Sequence, residues 1–125
     1  MLSHSKVIWL LEFLAEDCNW TDLPSDGELL ECLDRARNLA ENHSAAASDA
    51  AALLFAFSAD SSKLRDAVYQ LPVALAFEQL IDSGLELSSA DAEEAVGLQR
   101  MAIDEGLSWG EVLAWFKERA RPVAR

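Results

Sequence analysis

Between Leu64 and Asp82 the chain reads as helix throughout, yet its apolar face changes direction at Pro72. Before the proline, apolar residues fall at Leu64, Ala67, Val68 and Leu71, the three-to-four spacing of one helical face. After it they fall at Val73, Phe77, Leu80 and Ile81. At roughly 100° per residue the second set points almost opposite to the first. Proline inside a helix removes a backbone donor and clashes with the preceding turn. Two opposed apolar faces meeting at a proline leave two arrangements. Either the chain bends so that both halves reach one core, or the segment packs on both sides. Both put residues 64–82 at the centre of the fold, as a helix bent or broken at Pro72.

The segments around it supply the remaining helices, and the fold is expected to be built round the apolar middle 45–81, with the single-faced helices at 29–40 and 92–103 outside it. The first runs from about Ser5 to Asp17, with Ser3 or Ser5 as N-cap. Val7, Leu10, Leu11 and Leu14 form one face; Trp9 and Phe13 form a second, beside Glu12 and Glu16. A helix apolar on two sides is usually wedged between neighbours, so both faces are expected in the core, with a partner chain over Trp9 and Phe13 as the alternative. Ser25 and Glu28 make a capping box for a helix to about Asn42, whose buried line is Leu29, Cys32, Leu33, Ala36, Leu39 and Ala40. Residues 42–59 carry a single charge, Asp49, and a helix over about 45–58 is expected to be largely buried. Gly84 followed by Leu85 fits a helix C-terminus. Ser88 or Ser89 then starts a helix to Glu105, with Ala92, Ala95, Val96, Leu98, Ala102 and Ile103 as its buried arc and Gln99 towards an edge. Ser108 and Glu111 form a second capping box, stapled by Leu107 and Val112, for a last helix ending before Pro122.

With 21 alanines and little β-branched alternation, the class is all-α: a compact single-domain bundle of five to six helices over residues 1–121, with 122–125 as a basic C-terminal tail. The charge is lopsided. The net charge is −12, and residues 1–116 hold 21 acids against six bases. Such a surface repels nucleic acid and anionic membranes and favours basic partners, when it does more than keep the protein in solution. Two cysteines suit a reducing compartment. The apolar run Val7–Ala15 is too short to cross a bilayer and contains Glu12, so a cytoplasmic protein is expected. Its alanine-rich composition suggests a bacterial or phage source.

Three constellations bear on function. The first is the spacing Ala102, Gly106, Val112, Trp115, which resembles the helix-turn-helix DNA-binding pattern over about 20 residues. The resemblance implies that Trp109, Gly110, Glu111, Leu113 and Ala114 would begin a recognition helix. Major-groove readers there are typically Arg, Lys, Gln or Asn, and none of the five is one. The second is acidity. Residues 82–105 hold seven acids and one base, Arg100, and Glu12 to Asp34 is acidic throughout. The third is catalytic chemistry, and it is nearly bare. Cys32 and His43 lie three turns apart on one helix, and no metalloprotease, P-loop or nucleophile-elbow motif occurs. No cofactor or metal is expected, and no enzymatic activity.

The function expected from these residues is protein–protein interaction without catalysis. The chain would be a small acidic inhibitor, immunity or antagonist-type protein that docks on a basic surface of a protein or nucleoprotein, as a nucleic-acid mimic in one version. Its contacts would be Glu93, Glu94, Asp104 and Glu105, anchored by Trp109 and Trp115. The alternative is a transcriptional regulator using the hairpin at 102–119. Trp9 with Phe13, or Trp115, fits a homodimer seam as well as a core.

Overall fold

A computed structural model describes residues 1–21, 23–43, 45–59 and 70–123. It is all-α apart from one short ribbon. The helices are α1 (His4–Cys18), α2 (Asp26–Ala40), α3 (Ala46–Ala59), α4 (Leu71–Asp82), α5 (Ser89–Asp104) and α6 (Trp109–Arg119). Serine hydroxyls cap four of them: Ser3, Ser25, Ser88 and Ser108 accept from the amides of Lys6, Glu28, Asp91 and Glu111. Each satisfies a first-turn N–H that the helix itself cannot.

The helices stack in three layers that follow chain order. α3 and α4 pack together in the middle, α1 and α2 cover one side, and α5 and α6 cover the other. The reason lies in α3, where ten of 14 residues are buried. Ala52, Leu53, Ala56 and Phe57 join a cluster with Val7, Leu10, Leu11, Leu29 and Leu33. Ala47, Ala50, Ala51 and Leu54 point away from these, into a second cluster with Leu98, Val112, Leu113 and Phe116. α4 divides the same way: Leu71 and Leu75 enter the first cluster, and Val73, Ala76 and Leu80 the second. A helix with apolar residues on opposite sides can satisfy both only by lying between two layers.

The two-faced character expected of residues 64–82 is therefore present in α4 alone. It needs no bend, and the central position is shared with α3. α4 begins at Leu71, and Pro72 falls in its first turn. A proline there sacrifices no intrahelical hydrogen bond and presets the backbone angle. Leu64, Ala67 and Val68, the expected first half of the segment, lie outside the described residues. Replacing Pro72 with alanine leaves this first turn intact but frees the unfolded chain, so stability should fall by about 0.4–1 kcal/mol. Urea titration reads the change; a gain would mean that the proline strains the turn.

Other expectations shift in detail. Trp9 and Phe13 are 52% and 55% exposed, so only the Val7–Leu10–Leu11 face of α1 enters the core. α1 lies in an outer layer and has one inward side to fill. In α5 the buried line is Ala95, Leu98 and Gln99, while Val96 is 41% exposed. Gln99 is fully buried rather than at an edge. It lies one turn after Ala95, about 40° round the helix from it, whereas Val96 stands about 100° from Ala95.

Gly84 and Gly106 close α4 and α5 with φ of +75° and +68°, a region most side chains avoid. After Gly84 comes an element absent from the sequence reading. β1 (Leu85–Glu86) pairs antiparallel with β2 (Arg121–Pro122), and the Val123 amide donates to the Gly84 carbonyl at 3.0 Å. Pro122 and Val123, read as part of a tail, belong to this ribbon.

Candidate functional site

The hairpin of α5 and α6 gathers most of the residues singled out for docking. Its turn is built from local rules. The Leu107 amide donates to the Met101 carbonyl at 3.3 Å, wrapping the chain round Gly106. Ser108 then caps α6, and Leu107 and Val112 both pack into the second cluster. This fixes the angle at which α6 leaves.

Between the two helices runs an open groove of about 470 Å³, lined by Gly97, Leu98, Met101, Leu107 and Trp115 with Glu94 and Glu111 at its rim. The indole of Trp115 meets Phe116 edge-on, with centroids 5.1 Å apart. On its other flank the Arg119 guanidinium lies 4.7 Å from the ring centroid. Arg119 is held by three carboxylates: Asp91 at 3.8 Å, Glu94 at 3.6 Å and Glu118 at 3.2 Å. It also donates to the Trp115 carbonyl. The tryptophan is thus held by Phe116 and Arg119 while it lines the groove.

The expected contact residues separate. Glu94 and Trp115 line the groove. Glu93, Asp104 and Glu105 are exposed on α5 and at its C-cap but do not line it. Trp109 turns inward, joins both core clusters, and packs against the rings of His43 at 5.9 Å and Phe55 at 6.3 Å. Met101, Leu107 and Glu111 complete the groove without having been singled out. Only Glu111, one turn before Trp115, could have been found from helical phase. The helix-turn-helix positions fare no better for reading DNA: Leu113 is buried, Trp109 is half-buried, and only Gly110, Glu111 and Ala114 are exposed.

A second groove, about 400 Å³ and almost wholly apolar, lies where the ribbon meets α4, between Phe77, Ile81, Leu85, Leu87 and Val123. It exists because β2 folds back on β1, which periodicity cannot reveal.

Groups with reactive potential are dispersed. Cys32 is buried in the first cluster, and the Cys18 thiol donates to the Gln70 side-chain oxygen at 2.9 Å. Both cysteines are free. Among the described residues no three His, Cys, Asp or Glu side chains are arranged to hold a metal, and no helix is long and apolar enough to cross a membrane.

Lys6 of α1 pairs with Glu78 of α4 at 2.9 Å. The hydrogen bond to that carboxylate, with the charges of Glu78 and Asp82, holds its ammonium above the ordinary lysine range. Bases elsewhere are likewise engaged by the protein's own acids: Arg37 with Asp34, Arg119 with its three partners, and Arg121 with Glu86. No protein-family description matches the chain, nor does any curated protein or solved structure.

Proposed function

We propose that the protein is a non-catalytic interaction module that docks, through the outward surface of α5 and α6, on a basic surface of another protein. One observation carries the reading. The α5–α6 groove offers an apolar lining and a tryptophan held against Phe116 and Arg119, beside the exposed carboxylates of Glu94 and Glu111. A small apolar centre with a charged rim is the anatomy of a specific protein contact. The acids accelerate encounter and reject acidic competitors, while Trp115 supplies a pre-ordered anchor. Because Arg119 already clamps the ring, little side-chain freedom is lost on binding. Occlusion of a partner's basic surface, as an inhibitor or immunity-type protein does, follows from size and charge. The two free cysteines accord with a cytoplasmic setting.

The test begins with recovery of a partner from the native host at low salt, followed by titration against the purified chain. Reversal of Glu93, Glu94, Asp104 and Glu105 to lysine is expected to weaken that binding at least tenfold and flatten its salt dependence. Unchanged affinity and unchanged salt dependence would sink the reading. Binding to duplex DNA with a steep salt slope would instead support the regulator reading of the 102–119 hairpin.

A further inference from the structure

On the far side of the middle layer, α1 presents a surface of different character. Of four tryptophans and five phenylalanines, Trp9 and Phe13 are the only exposed ones, and they stand together. Their rings stack at 5.6 Å with 21° between planes. Such rings can each bury roughly 150–250 Å², so leaving a stacked pair more than half bare forgoes a large hydrophobic gain. Their helical neighbours on that face, three or four residues away, are Glu12, Glu16 and Asp17, all exposed. Among the described residues the cation beside them is Lys6, whose ammonium sits 4.9 Å from the Trp9 centroid and is tied to Glu78.

We infer that the Trp9–Phe13 pair with Glu12, Glu16 and Asp17 forms a second docking surface, whose occupant is an arginine-rich segment of a partner protein. Charge complementarity selects that occupant. A guanidinium can lie on an aromatic face while its fork reaches a carboxylate one turn away, and both partners are present here at helical spacing. Trp9 already takes a cation on its ring in the form of Lys6. A second copy of this chain is the wrong occupant, because a two-fold contact would bring Glu12, Glu16 and Asp17 of both copies together, and the described base beside them, Lys6, is already tied to Glu78. The surface lies opposite the α5–α6 groove and does not depend on the function proposed for it.

The probe is an octa-arginine peptide titrated into the isotopically labelled full chain, with the four tryptophan indole signals and the backbone amides followed by NMR. The Trp9 indole and the amides of residues 5–17 are expected to shift together. Trp9→Ala/Phe13→Ala is expected to lower affinity at this face at least tenfold with unchanged thermal midpoint. Glu12→Lys/Glu16→Lys/Asp17→Lys is expected to abolish binding there. Reversal of the four acids on α5 should leave the Trp9 titration curve in place, which separates this surface from the other. Shifts confined to α5 and α6, or equal affinity in the Trp9/Phe13 double variant, would overturn the assignment. So would a wild-type dimer in sedimentation that the double variant dissolves.

Discussion

Phe57→Ala is expected to lower the unfolding free energy by about 3–5 kcal/mol, the range for an aromatic removed from a closed core. Phe57 is fully buried in α3, on the side that meets α1 and α2. It shares its cluster with Leu10, Leu11, Leu29, Leu33, Leu53 and Leu75, which come from four helices counting its own. No single helix can move inward to fill the space without opening its contact with another, so the cavity should persist. Natural domains hold only about 5–15 kcal/mol in total, and the variant would be close to unfolding at elevated temperature. Denaturant titration with the slope unchanged would confirm a stability effect. A loss below about 1 kcal/mol would mean that the first cluster is loosely packed.

The second large effect is expected at Trp109, and it discriminates between two roles. As a docking anchor its removal would cost affinity and spare stability. The structure gives it contacts in both core clusters, with His43 three residues beyond α2 and Phe55 in α3. Trp109→Ala is therefore expected to cost about 3 kcal/mol, the low end of the aromatic range because the indole is only half-buried. For a domain of this size that is a fall of roughly 12 °C in thermal midpoint. Trp9→Ala, whose ring is 52% exposed, should change stability by no more than about 0.5 kcal/mol. Equal midpoints for the two variants would remove Trp109 from the core.

How far the chain could be read from its residues depends on the range of the interaction. Serines three residues before Glu28 and Glu111, and glycines at 84 and 106, act within one turn. They place helix ends whatever surrounds them. The buried line of α2 was equally plain from its periodicity, and the burial of α3 from its single charge. Trp9 and Phe13 were misread because hydropathy says that an aromatic can be buried, not that a neighbour exists to bury it. That depends on α1 being an outer helix, a fact held by α3 and α4. Gln99 was placed at an edge on its polarity, yet its helical phase puts it inside. The ribbon was invisible because two residues per strand carry no alternation. At the α5–α6 surface the acids and Trp115 were legible by type and spacing. The groove that unites Trp115 with Met101 and Leu107 arises only when two helices meet.

The layer order has a bearing on synthesis. Helices α1 to α4 are complete in the nascent chain before any of α5 or α6 exists. They can assemble the first cluster at once, but Ala47, Ala50, Ala51, Leu54, Val73, Ala76 and Leu80 then form an apolar wall with nothing against it. Intermediates with such a wall are prone to stick to one another. Residues 1–82 carry 14 acids against five bases, so half-made chains repel each other while that wall waits for its cover. The acidity proposed above to draw a basic partner to the finished protein also guards the unfinished one.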